Sequence, residues 1–342
     1  MLARIAQELF WLGRDLARAE HTARMLDGVF HADVAGDPRD QGIALGWEGV
    51  LAIIGAKAQA PSKKGARGGE EGEPAAGVDV AAVAAARRGR GPLERTEVAR
   101  LLTLDPDSPA SVVSCIARAR ERGRTLRDVI STEMWEALNT FHLSLAGRDL
   151  TAVLASGPYS AYQEVKERCA LFWGLVDRTM LRDESHSFLE AGGRIEAADM
   201  VLRMLRVAVP PEPETGGHQG GALALLHAVG GFQAYRRAVR AAPTVGPVAR
   251  FLLYDGAYPG SVASSVEALH TALSTADAQP RSSPPVLRLG RLIADLELQR
   301  RAPYAAGALD QTLEYVQEEL ERIDLDIDDR YFAVALAVAV HL

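Results

Sequence analysis

The chain has 342 residues and a formal net charge of −7, with 48% hydrophobic and 24% charged residues. This balance is typical of a folded globular protein and excludes a disordered chain. The negative net charge gives no support for broad binding to nucleic acid or to an anionic membrane, so we expect neither as a partner.

Helical periodicity begins with the first residues. Leu9, Leu12, Leu16, Ala19 and Ala23 recur at three- and four-residue spacing, which places them on one face of a long helix. The same period recurs over 112–146, 161–181, 195–209, 262–275, 286–300 and 309–323. No segment shows the sustained alternation of a strand, and only the apolar end (331–340) fits either structure. The pattern predicts an all-α fold, a helical bundle.

Several segments interrupt this pattern. Residues 57–77 are rich in Gly, Pro and mixed charge, and the basic stretch 86–92 follows them. We predict a disordered insertion over 57–92, and we favour a solvated linker over a basic arm for nucleic acid. Loops are also predicted at 209–221 and 278–285.

An internal repeat indicates how the chain is organised. "LLTLDPDSPASVVS" (101–114) matches "FLLYDGAYPGSVASS" (251–265), and upstream the surroundings of Glu20 match those of Asp199 in the same order. We therefore predict two similar helical halves, 1–160 and 161–342, that form one compact unit, with the insertion in the first half. The repeated motif is Asp-x-x-x-Pro-x-Ser-Val, and its matched positions are Asp105, Pro109 and Ser111, then Asp255, Pro259 and Ser261.

This repeated motif is typical of a junction between two helices. One helix ends near the Asp, the Pro stands at or near the start of the next helix, and the Ser caps that helix. We favour this structural interpretation over a functional one for both copies.

Patterns for metal binding and targeting are absent from the sequence. The two cysteines, Cys115 and Cys169, belong to no Cys-x-x-Cys motif, and the eight histidines form no His-x-x-x-His pair. We expect no metal site. Residues 1–16 carry frequent charges, unlike a signal peptide, and the apolar run 331–340 is too short to span a bilayer, so a cytoplasmic location is predicted.

Over nearly its whole length the sequence resembles the alpha-E proteins of bacteria. The resemblance rests on residues 9–27, 104–139 and 252–262. The middle block is the most specific, and it has these residues in the family's places: Arg120, Arg124, Arg127, Ser131, Glu133, Trp135 and Asn139. The chain departs from the family's pattern at Arg122, Gly123 and Gly260, and two usual arginines are missing around 192–199.

The resemblance also implies a functional context. Genes of this family typically lie beside, or are fused to, circularly permuted ATP-grasp ligases, often with transglutaminase-like proteases. By this association the chain would be an accessory or partner component of a peptide- or amide-forming system. ATP would then be bound by the partner, so we expect no cofactor in this chain.

The charged residues suggest a site. On a helical wheel for 112–146, three arginines share the apolar face, and the opening helix carries three more beside its apolar stripe. Burying unpaired charges is costly, so we predict a partly buried Arg–carboxylate network where the two halves meet. Its predicted members are Arg14, Arg18, Glu20, Arg24, Arg120, Arg124, Arg127 and Asp199.

Two interpretations of this network remain open. It fixes the register of the helices, or its surplus arginines bind an anion such as a carboxylate or a phosphate. Three functional hypotheses follow. We favour an accessory protein of a ligase; the others are an enzyme acting on an acyl phosphate or peptide with Glu20 or Glu133 as base, and a purely structural interaction module.

Overall fold

A computed structural model describes residues 1–35, 45, 47–54, 95–149, 152–153, 159–209, 219–302 and 308–333. These residues form thirteen α-helices and no β-strand, which confirms the predicted all-α fold. The helices are α1 (Ala3–Ala35), α2 (Trp47–Ile54), α3 (Arg95–Thr103), α4 (Val112–Thr125), α5 (Thr132–Ala146), α6 (Tyr159–Thr179), α7 (Glu184–Ala208), α8 (Gln219–Ala228), α9 (Phe232–Ala238), α10 (Val245–Tyr254), α11 (Val262–Ala276), α12 (Pro284–Arg301) and α13 (Ala308–Ile327).

The two longest helices, α1 and α7, pack along each other and form the centre of the bundle. Helices α4, α6 and α8 pack against α1, whereas α2, α11 and α13 pack against α7. Leu9, Leu12 and Leu16 are fully buried, as the apolar stripe of α1 predicts. The hydrophobic effect on this stripe drives α1 into the centre of the bundle.

Two glycines let α1 and α7 approach within backbone contact. A Cβ atom on Gly13 would overlap the carbonyl oxygen of Leu189, and one on Gly192 would overlap that of Phe10. Gly13 and Gly192 stand at matching positions of the sequence repeat, as do Phe10 and Leu189. The contact between these helices is therefore reciprocal, and it requires residues without a side chain.

The segment 112–146 forms two helices, so the prediction of one continuous helix was wrong. Helix α4 ends where the N–H of Leu126 bonds to the carbonyls of Arg122 and Gly123. Helix α5 begins where the Ser131 hydroxyl accepts the N–H of Met134 at 3.2 Å. The apolar period continues through the turn because the turn residues also reach the core.

The two copies of the Asp-x-x-x-Pro-x-Ser-Val motif have the same hydrogen bonds. Ser111 Oγ accepts the N–H of the residue three positions on at 3.2 Å and donates to the Asp105 carbonyl at 2.6 Å. Ser261 Oγ does the same at 3.0 Å, donating to the Asp255 carbonyl at 2.7 Å. Both serines cap helices, whereas both prolines lie in the preceding turns, not at the first helical position: Pro109 and Pro259.

Some predicted segments lie outside the described residues. These are the insertion at 57–92, most of the loop at 209–221 and the end from 334 onward. The described start of the apolar end belongs to a π-helical turn, Asp328–Phe332, not to a strand. Among the helices described, none combines the length and apolar character needed to cross a membrane.

Candidate functional site

Glu196 on α7 is the centre of a buried network of charges. Its side chain is fully buried, and it accepts a hydrogen bond from Arg14 Nε at 3.1 Å. Arg18, one turn further along α1, donates to the same carboxylate from Nε at 2.6 Å and from Nη2 at 3.0 Å. The close approach of α1 and α7 brings the two guanidinium groups to this carboxylate. Glu196 was not among the predicted members of the network.

Arg14 also links this centre to a third helix. Its Nη1 donates to both carboxylate oxygens of Asp324 on α13, each at 2.9 Å. The guanidinium carbon lies 4.6 Å from the centroid of the Trp11 ring, which covers one face of the group. The Nε and Nη1 donors of Arg14 are thus taken up by carboxylates of two helices.

The ionisation of the network follows from burial and pairing. Burial alone raises the pKa of Glu196, but the charges of Arg18 and Arg14 outweigh it and lower the pKa to about 2. Burial raises the pKa of Asp199, and the charge of Glu196 raises it further, although the charge of Arg203 opposes this increase. Glu196 therefore stays ionised at neutral pH and forms a permanent ion pair.

Two more ion pairs stand at matching positions of α1 and α7. Arg24 donates to Glu20 Oε1 from Nε at 2.9 Å and from Nη2 at 2.8 Å. Arg203 contacts Asp199 Oδ2 at 2.7 Å in the same four-residue spacing. The acid precedes the base in both pairs, which is the favourable order along a helix.

The arginines of these two pairs reach the ends of short helices. Arg203 Nη1 donates to the carbonyl of Ile53 at the end of α2, at 3.3 Å. Arg24 Nη1 would lie 3.0 Å from a Cβ atom on Gly230, which follows α8 and has a φ of +70°. Cations stabilise helix C-termini because of the helix dipole, so the two arginines have a shared structural role.

A second branch of charges joins α1 to α4. Asp15, which is buried, accepts from Arg118 Nε at 2.9 Å and from Arg122 Nε at 3.3 Å. Arg122 Nη1 also bonds to Glu8 at 3.0 Å. The α4 arginines that face α1 are therefore Arg118 and Arg122.

The other predicted arginines lie elsewhere, which corrects the prediction of a single network. Arg120 and Arg124 stand on the opposite side of α4 and bond to Glu121 at 2.6 and 2.9 Å. Arg127 belongs to the turn after α4, not to its apolar face, and lies 5.4 Å from the Trp135 ring centroid. The helical wheel failed here because it assumed an unbroken helix through 112–146.

The surroundings of Gly193 on α7 differ from those of Arg14 on α1. Gly193 stands at the position that matches Arg14, and a Cβ atom there would lie 2.6 Å from Cη2 of Trp173. The Trp173 indole therefore fills the space next to α7 that a side chain at this position would need. An aromatic ring therefore packs against Gly193 of α7, whereas Arg14 of α1 forms ion pairs.

The candidate catalytic residues lack the environment of an acid or base. Glu20 is held by Arg24, and Glu133 is exposed at the start of α5. Burial lowers the pKa of His21 and raises that of Cys115 to about 11, so both stay uncharged at neutral pH. Within the described ranges, no group of three or more His, Cys, Asp or Glu residues could hold a metal ion.

The fold and this site define an all-helical protein whose central helices are joined by buried ion pairs. A family model, Alpha-E, matches residues 1–332 and is described as a predicted alpha-helical domain with a conserved ER motif. The chain belongs to the Alpha-E family.

Relatives of the chain occur in mycobacteria. An uncharacterised protein of Mycobacterium bovis and one of Mycobacterium tuberculosis are each 24% identical to it over 295 residues. The match covers 82% of this chain but 31% of each relative, so the chain spans about a third of the length of these curated relatives. No solved structure matches the chain.

Proposed function

We propose that the chain is a non-catalytic accessory component of an ATP-grasp-type system that forms peptide or amide bonds. The observation that carries the accessory role is the pairing of the buried charges. Arg14 and Arg18 pair with the carboxylates of Glu196 and Asp324, and Glu20 pairs with Arg24. Such a network stabilises a framework, and it holds the carboxylates of Glu20 and Glu196 in ion pairs instead of leaving them free as an acid or base.

The partner is inferred from the family. The resemblance implies a circularly permuted ATP-grasp ligase, which would bind ATP, and a transglutaminase-like protein as a further partner. The mycobacterial relatives support a role in combination with other units, because the matched region is one part of a longer polypeptide. Under this proposal the chain has no cofactor of its own and works in the cytoplasm.

The proposal includes an architecture of two related halves, 1–160 and 161–342. It is supported by the reciprocal glycine contacts of α1 and α7 and by the identical caps at Ser111 and Ser261. The pairs Glu20–Arg24 and Asp199–Arg203 add a third match in the same order.

The experiment is reconstitution with the circularly permuted ATP-grasp protein of the same host. The two proteins are co-expressed, purified on a tag of this chain and analysed by size-exclusion chromatography with light scattering. ADP release with amino-acid and short-peptide substrates is then measured with each protein alone and with both. We expect a stoichiometric complex and an increase in ligase turnover.

Two outcomes would contradict the proposal. If no complex forms under gentle washing and turnover does not change, the accessory role is refuted. If this chain alone consumes an acyl phosphate or a peptide, it is an enzyme. Turnover by the ligase alone serves as the reference for both.

A further inference from the structure

The outer corner between α4 and α5 carries three arginines that the buried network does not use. We call the surface formed by Arg120, Arg124, Arg127 and Trp135 the α4–α5 corner. Glu121 bonds to Arg120 Nη1 at 2.6 Å and to Arg124 Nε at 2.9 Å, so one carboxylate serves two guanidinium groups. Arg127 is exposed and forms no ion pair with any residue that the structure describes.

Trp135 organises this corner. The guanidinium carbons of Arg120 and Arg127 lie 5.8 and 5.4 Å from the centroid of its ring. The indole is half-buried against α4. The close approach of the two helices at Gly123 accommodates Leu138, whose Cδ2 would lie 2.7 Å from a Cβ atom there. Asn139 Oδ1 accepts Arg120 Nε at 2.9 Å and fixes that side chain. The arginines are therefore held near an aromatic surface, and this reduces the entropy lost when they bind a ligand.

The chemistry of the corner selects among anions. Guanidinium groups bind carboxylate and phosphate through paired N–H donors. The Trp135 ring adds an apolar surface, which a ligand with a carbon skeleton contacts and inorganic phosphate does not. Three exposed acids, Asp128, Glu133 and Glu136, lie on the same stretch of chain, and together with Glu121 they balance the four arginines of residues 120–136. This mixture favours a short ligand with few carboxylates over a polyanion such as nucleic acid.

We propose that the α4–α5 corner binds a carboxylate-bearing peptide, with Arg127 and Arg120 contacting the carboxylate and Trp135 contacting the adjacent carbon skeleton. The assignment deepens the proposed function, on which it rests for the role of that peptide as a substrate of ligation. The binding itself needs no ligase and is tested on the full chain alone.

The test is isothermal titration calorimetry with two capped hexapeptides. One alternates alanine and glutamate, and the other alternates alanine and glutamine, so the two differ only in their carboxylates. We expect the glutamate peptide to bind at least about tenfold more tightly. Arg127→Gln and Arg120→Gln should each weaken its binding by roughly three- to tenfold, since the contacts are partly exposed.

Arg300→Gln is the matched control, because Arg300 is also exposed but pairs with Glu297 on the distant α12. This variant should bind the glutamate peptide like the wild type. Thermal midpoints of all variants show whether they are folded. A rise in salt concentration should weaken binding of the glutamate peptide, since exposed charges are screened within roughly 8 Å at 0.15 M.

Three results would overturn the assignment. They are equal binding of the two peptides, no binding of the glutamate peptide at millimolar concentration, and unchanged binding by folded Arg127→Gln. If inorganic phosphate at the same concentration displaces the glutamate peptide, the corner is an unspecific anion site, and the assignment of a peptide ligand is refuted. If the chain binds the glutamate peptide but forms no complex with the ligase, only the proposed function is refuted. If it forms the complex but does not bind the peptide, only the binding assignment is refuted.

Discussion

Replacement of Glu196 by Gln removes the charge at the centre of the buried network and tests its energetic role. The amide keeps the volume of the side chain but no longer neutralises the two arginines of α1. Arg14 keeps Asp324, whereas Arg18 loses the carboxylate to which it makes both its hydrogen bonds. The variant therefore leaves a buried guanidinium group without its counterion.

The magnitude follows from the pKa of Glu196. Two arginines lower it from 4.5 to about 2, which corresponds to about 3 kcal/mol of preference for the ionised form in the folded protein. Loss of one partner of a buried ion pair typically costs about 3–5 kcal/mol. For a chain of this length, with about 2 cal/mol/K of unfolding entropy per residue, this loss lowers the thermal midpoint by about 4–7 °C.

The measurement is urea denaturation of wild type and Glu196→Gln at pH 7, supported by thermal melts. Glu297→Gln is the control, because Glu297 binds two arginines on the exposed face of α12 and should change stability little. A loss of less than about 1 kcal/mol for Glu196→Gln would refute the reasoning, because it would mean that water or another carboxylate replaces Glu196 without cost.

The difference in unfolding free energy between wild type and Glu196→Gln should be constant above about pH 5 and shrink as the pH falls from about 4.5 to 2. The reason is that the folded protein holds the pKa of Glu196 below its unfolded value. Urea midpoints across this pH range measure the difference. Gly192→Ala should lower the unfolding free energy by about 3 kcal/mol or more, because the added methyl group pushes α7 away from α1. Gly174→Ala is the control: its methyl group would meet nothing within 4 Å, so it should raise the unfolding free energy by up to about 1 kcal/mol in the same assay. Ser111→Ala and Ser261→Ala should each lower the unfolding free energy by about 1 kcal/mol. Clearly different decreases in the thermal midpoints of the two variants would contradict the equivalence of the two caps.

Local features of the fold were predictable from the sequence. The buried stripe of α1 follows from apolar residues at helical spacing, and the caps at Ser111 and Ser261 follow from the repeated motif. Both depend on neighbours within a few residues along the chain. The turn between α4 and α5 escaped prediction, because its apolar residues keep the helical period and Ser131 alone marks the start of the next helix.

The partners of the arginines were not predictable in the same way. Glu196 lies 182 residues from Arg14, and Asp324 lies 310 residues from it, so only the packing of α1, α7 and α13 brings them together. A count of acids near the arginines in sequence overestimated the surplus of positive charge, because the neutralising carboxylates come from distant helices.

The balance of charge around Glu196 suggests why a bundle keeps ion pairs where apolar residues would pack. The apolar stripes of α1 and α7 tolerate displacement along the helix axis, because one turn of about 5.4 Å brings similar residues into contact. Such a slip would move Arg14 and Arg18 away from Glu196 and leave three buried charges unpaired, at a cost of several kcal/mol. The glycine contacts forbid the same slip sterically, since Gly13 and Gly192 would each be replaced by a residue with a side chain. Charge and shape therefore select one register of α1 on α7, and this register sets the position of every helix that packs on them, including α4 and its outer corner.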